Sequence, residues 1–106
     1  MPKYMFHGSY TAAGGAGVLK DGGTGRKAAV EALAASVGGK LESIYWALGK
    51  DDFFIVCDMP DSHAAAALAI AVSASGAVTT NTSEIFDAAD LDDIVARRTS
   101  YRAPGA

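Results

Sequence analysis

Residues 40–58, KLESIYWALGKDDFFIVCD, decide the fold of this chain. Aromatic and β-branched side chains are concentrated in Lys40–Leu48 and Asp52–Asp58, and only Gly49-Lys50-Asp51 separates the two runs. Two such runs joined by so short a turn predict an antiparallel β-hairpin. Apolar side chains fall on both faces of the second run, so we expect this strand to be covered on both sides.

The segment before the hairpin predicts a strand and a helix with a loose stretch between them. Tyr4–Thr11 is rich in aromatic residues and is interpreted as the first strand. Ala12–Gly23 contains five glycines and little periodic hydrophobicity, so we expect no long element there. Arg26–Val37 carries apolar residues at the spacing of one buried helical stripe, and Gly38-Gly39 ends this helix.

The segment after the hairpin predicts a helix, a strand and a short helix. His63–Ser75 is rich in alanine, which has a high helix propensity and lets a helix lie close to a sheet. Ala77–Phe86 combines β-branched and polar residues, which favours an edge strand. Asp87–Arg97 fits a short C-terminal helix with its own apolar face. We expect one domain over residues 1–98 and a C-terminal tail over residues 99–106.

The order of these elements predicts an α+β fold of the ferredoxin-like βαββαβ type. In that arrangement two helices cover one face of a four-stranded antiparallel sheet. Phe54 and Val56 on the other face would then stand in water, and contiguous apolar patches of this kind usually mark an interface. A second copy of the chain is the simplest cover, so we expect a homodimer or a higher homo-oligomer.

Several segments resemble the GYD-domain family, and the likeness extends over roughly Tyr4–Phe86. They are Lys40–Gly49, Asp52–Val56, Met59-Pro60-Asp61, Ala65–Leu68 and Ser75-Gly76. Gly49 and Asp52 match the glycine and aspartate of the family's name, whereas Asp51 stands where its tyrosine is expected. The resemblance implies a dimeric α+β barrel, in which two sheets meet face to face. It implies no reaction, because the biochemical function of the family is not established.

The alternation of side chains along the strands assigns a candidate site to the open sheet face. Asp52 and Asp58 mark this face on the third strand, since an unpaired carboxylate is costly under a helix. The same alternation applied to the first two strands gives the rest of this face. The resulting surface is partly apolar with a few polar groups, as in many small-molecule pockets. The face carries His7, Ser9, Ser43, Tyr45, Asp52, Phe54, Val56 and Asp58.

His7 is the candidate catalytic residue, because histidine titrates near neutral pH and can move a proton. Asp58 would hold the imidazole in one tautomer, and Tyr45 would orient a ligand. The ligand-binding candidates on this face are Ser9, Ser43, Tyr45, Phe54, Val56 and Asp58. The alternative interpretation is that His7 and Tyr45 hydrogen-bond across a dimer interface and have no chemical role.

The remaining motifs favour neither a metal nor a cofactor. His7, His63 and Cys57 are far apart in sequence, with no pair at zinc-ligand spacing. A haem or transition metal held by His7 alone stays open as an alternative. Gly22–Lys27 precedes a helix, but the Walker spacing is missing because no serine or threonine follows Lys27. We interpret this segment as a flexible loop with an ordinary helix cap.

Composition limits the partners and the location. The formal net charge is -3 and the basic residues are scattered, which argues against nucleic acid. No apolar run approaches the roughly 20 residues that span a bilayer, and no signal peptide is evident at the start. Cys57 is the single cysteine and is interpreted as a small buried hydrophobic residue. We expect a soluble, cytoplasmic protein.

Three functional hypotheses follow from these residues. The first is a small-molecule-binding or stress-related homodimeric domain with an organic ligand between its sheets. The second is a cofactor-free isomerase or monooxygenase that uses His7 as acid or base. The third is a structural protein whose pairing is its whole role. The sequence determines neither the ligand nor the reaction.

Overall fold

The computed structural model describes residues 1–106 as a four-stranded antiparallel sheet with three helices. The elements are β1 (Lys3–Tyr10), α1 (Ala12–Ser36), β2 (Lys40–Trp46), β3 (Phe53–Asp58), α2 (Ser62–Ala74), β4 (Val78–Ile85) and α3 (Ala88–Ala96). The strands lie in the order β2-β3-β1-β4, so β1 is central and contacts both β3 and β4. The α+β class and the four predicted strands are confirmed, as is the adjacency of β1 and β3.

The prediction of a loose stretch at residues 12–23 is wrong, because helix α1 begins at Ala12. Thr11 caps the helix by accepting a hydrogen bond from the Gly14 backbone N–H, and its own N–H donates to the Ala77 carbonyl. The helix is broken only at Gly22, where φ is 69°. The high glycine content of this segment led to the wrong prediction. Gly14 lies within the helix, where the absence of a side chain allows α1 to approach Ala77, just before β4.

The core lies between the helices and one face of the sheet. Alternate residues of β1 and β3 point toward the helices, as the alternation predicts, and Cys57 is fully buried among them. The buried cluster consists of Tyr4, Phe6, Ala34, Cys57, Met59, Ala64, Ala65 and Leu68. Only 11 of the 106 residues are buried in the single chain, so much apolar surface remains available for association.

Burial gives Cys57 a predictable effect on stability at alkaline pH. Desolvation, with a smaller contribution from the charge of Asp58, raises the pKa of the thiol from 9.0 to about 11. The folded chain therefore keeps a proton that the unfolded chain loses. We expect the free energy of unfolding to fall as the pH rises through the window from 9.0 to about 11, which urea titrations would measure.

Cys57→Ala isolates the cysteine's share of this alkaline effect. Hydrogen bonds to Asp58 and Glu42 raise the pKa of Lys3, and burial raises that of Tyr4, so both groups add an effect of the same sign. The variant should lose less stability than the wild type across the window. An equal loss in both proteins would contradict the assignment to Cys57.

Helix α3 has no buried residue in the single chain. Its predicted apolar side chains, Leu91, Ile94 and Val95, are exposed in the single chain. The Cα radius of gyration is 16.6 Å, whereas a compact chain of this length would have about 13 Å. No helix combines the length and the apolar character needed to cross a bilayer.

Candidate functional site

The strand register places the main predicted site residues in one row across the open sheet face. His7 lies opposite Phe54 on β3, and Phe54 lies opposite Tyr45 on β2. On the other side of His7, Asn81 of β4 completes the row. Opposite residues of neighbouring strands share a face, so the structure brings these four side chains together on the side away from the helices.

A second row lies beside the first and also combines apolar and polar side chains. Val56 is opposite both Met5 and Ser43, and Met5 is also opposite Ser83. The alignment of Ser43 depends on a β-bulge between Leu41 and Ser43, which takes one extra residue into β2. Sequence reasoning placed Ser43 and Val56 on the correct face, and it missed Asn81 and Ser83 because it interpreted the polarity of β4 only as a sign of an edge strand.

His7 forms a specific pair with Asp51, which sequence reasoning did not place in the site. The His7 Nδ1 atom lies 3.0 Å from Asp51 Oδ2, and both side chains are about three-quarters buried, with exposed fractions of 23% and 22%. An ionised carboxylate only accepts hydrogen bonds, so Nδ1 is the donor and Nε2 of the neutral ring is an acceptor. No protein group donates to Nε2.

The imidazole ring also stacks on Phe54. The two ring centroids are 5.9 Å apart and the ring planes differ by 10°. Stacking and the Asp51 contact together restrict both the position and the tautomer of His7. The pair therefore presents one nitrogen lone pair beside an apolar surface.

The turn between β2 and β3 brings Asp51 to His7 because it is bonded to the end of β1. The Asp52 N–H donates to the Gly8 carbonyl at 2.7 Å, and the Asp52 carboxylate accepts the Tyr10 N–H at 2.9 Å. The Ser9 hydroxyl donates to the Lys50 carbonyl at 2.8 Å. The side chains of Ser9 and Asp52, both predicted for the open face, therefore bond this turn to the end of β1.

The proposed contact between Asp58 and His7 is wrong. Asp58 lies opposite Lys3, near the other end of β1, and accepts a hydrogen bond from its ammonium group at 2.9 Å. Glu42 also contacts Lys3, at 3.2 Å. Side-chain alternation assigns Asp58 to the correct face, but alternation gives no position along the strands. The carboxylate that reaches His7 occupies the place of the tyrosine expected from the family resemblance.

The site contains polar groups suited to organic ligands, and metal-ligating groups are sparse. No group of three or more His, Cys, Asp or Glu side chains is arranged to hold a metal ion. Cys57 is buried on the helix side of the sheet, opposite in orientation to His7, and His63 is exposed at the start of α2. The arrangement can accept a proton at His7 Nε2 and can pack a flat group against Phe54 and Tyr45.

The fold and this face define an α+β domain with a histidine–aspartate pair on a partly apolar sheet surface. The chain belongs to the GYD domain family, whose model matches residues 4–95. No curated protein and no solved structure matches the chain. The family assignment confirms the resemblance found in the sequence, and it leaves the function undetermined.

Proposed function

We propose that the protein is a homodimeric small-molecule-binding or stress-related domain. In this proposal two ferredoxin-like units meet through their open sheet faces and form a dimeric α+β barrel. The apolar character of Phe54, Val56 and Tyr45 supports the pairing, because Tyr45 is 69% exposed in the single chain. Pairing would enclose the row of His7, Phe54 and Tyr45 and strengthen its polar interactions.

The observation that carries the proposal is the His7–Asp51 pair stacked on Phe54. A ligand that fits it has a flat apolar body and a hydroxyl group. The body would pack on Phe54 and Tyr45, and the hydroxyl would donate to Nε2. Ser43 and Ser9 border the same face, and Asp58 lies at its far end with Lys3. Residues 1–98 would form this domain and residues 99–106 a C-terminal tail. The protein would be located in the cytoplasm.

Binding of para-nitrophenol tests the site, because its phenolate form absorbs visible light. We expect the wild-type protein to bind the probe and to increase the phenolate band as the hydroxyl proton shifts toward Nε2. His7→Gln should weaken binding about tenfold, since it removes a hydrogen bond to a group that becomes charged. His63→Gln is the matched control and should bind as the wild type does. Equal binding by the two variants would contradict the proposal.

A cofactor-free enzyme is the second candidate, and the Asp51 contact favours it specifically. A carboxylate on Nδ1 stabilises the imidazolium that forms when Nε2 takes a proton from a substrate carbon. The same proton can return to a different carbon, which is an isomerisation. Deuterium exchange into acetylacetone, accelerated by the protein and abolished in His7→Gln, would favour the enzyme. A dimer that neither binds para-nitrophenol nor catalyses exchange would favour the purely structural role.

A further inference from the structure

A cavity of about 190 Å³ lies on the opposite side of the sheet from His7, beneath the helices. Twelve of its fourteen lining residues are hydrophobic, so its interior is an apolar space. The two others are Arg26 and Thr80, and Arg26 is the only charged residue among the fourteen. None of the residues of the His7 row lines this cavity.

The cavity exists because the two long helices pack over opposite edges of the sheet. Helix α1 packs mainly on β2, whereas α2 packs mainly on β4, so the central strands are left with a gap above them. Leu33 of α1 and Val72 of α2 form opposite walls, and Phe6 and Ile55 of the central strands lie at the floor. A single helix layer with a gap of this kind can admit a ligand.

Arg26 gives the cavity a specific chemistry. Its guanidinium makes no hydrogen bond within the chain, and its nearest acidic partner, Asp21, is 3.7 Å away. That separation exceeds ordinary hydrogen-bond length, and both side chains are partly exposed, at 34% and 43%. The guanidinium therefore keeps its N–H donors for an external acceptor, and its planar fork matches a carboxylate.

We propose that this cavity is a second ligand site, one that takes a small monocarboxylic acid with an apolar body. The carboxylate would bind the Arg26 guanidinium at the rim, and the body would lie between Leu33 and Val72 on Phe6 and Ile55. The volume suits a single substituted aromatic ring, since an apolar cavity of about 150 Å³ is large enough for benzene. The site is independent of the proposed function at His7.

Calorimetry with para-toluate and its neutral analogue para-toluamide tests the charge requirement. We expect the wild-type protein to bind one para-toluate per chain, and para-toluamide at least about tenfold more weakly, as charge-assisted hydrogen bonds are lost. Arg26→Gln should remove the preference for the acid. Lys27→Gln is the matched control, since it removes the same charge from the next, exposed position and does not line the cavity.

Two experiments test whether para-toluate lies within the cavity. One is methyl NMR of the wild-type protein, and the other is a substitution that fills the cavity with a larger side chain. Para-toluate should shift the methyl signals of Leu33 and Val72 and leave that of Val56, on the other face, unchanged. Val72→Phe should reduce binding of both probes, and the NMR result stands even where this variant folds poorly. His7→Gln should bind para-toluate normally. Absence of binding, an unchanged preference in Arg26→Gln, or shifts at Val56 alone would overturn the proposal.

Discussion

Phe54→Glu is expected to convert the proposed homodimer into a monomer. Phe54 lies on the open sheet face between His7 and Tyr45, so pairing of two sheets through this face would cover it. Two-fold symmetry would bury two carboxylates without partners, and each costs several kcal/mol. We expect dimer affinity to fall at least about a hundredfold. That change corresponds to about 2.7 kcal/mol, and the cost of burying two unpaired carboxylates is larger.

Sedimentation equilibrium at micromolar concentration would measure this change. Ile70→Glu is the matched control, since Ile70 is also an exposed apolar residue but lies on α2, away from the sheet face. It should sediment as the wild type does, and circular dichroism would confirm that both variants are folded. A monomeric wild type, or a Phe54→Glu variant that remains dimeric, would contradict face-to-face pairing.

Gly14→Ala is expected to destabilise the fold strongly, whereas Gly15→Ala should stabilise it. A Cβ at Gly14 would lie 1.9 Å from the Ala77 carbonyl oxygen, a backbone atom that cannot turn aside. The first turn of α1 would have to separate from the start of β4, at a cost of about 3 kcal/mol. A Cβ at Gly15 meets no atom within 4 Å, and helical alanine is favoured over glycine by about 1 kcal/mol.

Urea unfolding of the two variants measures these opposite effects on the free energy of unfolding. The comparison is internally controlled, because the substitution is identical and the positions are adjacent. It also tests the first part of α1, which the sequence did not predict to be helical. If Ala12–Gly23 were a loose stretch in solution, both variants would change stability by similar small amounts.

The sequence by itself predicted the residues of β1, β2 and β3 that form the candidate site on the open sheet face, although not those of β4. His7, Tyr45 and Phe54 could be grouped because side chains alternate strictly along a strand and because the order of elements places β1 beside β3. Cys57 could be placed on the helix side by the same alternation. These conclusions need only local periodicity and connectivity, and both are present in the sequence.

The partner of His7 and the start of α1 were decided only by the tertiary structure. Asp51 reaches His7 because Gly8, Ser9 and Tyr10 bind the hairpin turn across more than forty residues of chain. Asp58 was an equally acceptable partner by face alone, since alternation gives no distance along a strand. The glycines of residues 12–23 are poor helix formers, but the Thr11 cap and the close approach to Ala77 outweigh that preference. Long-range contacts of this kind have no local signature in the sequence.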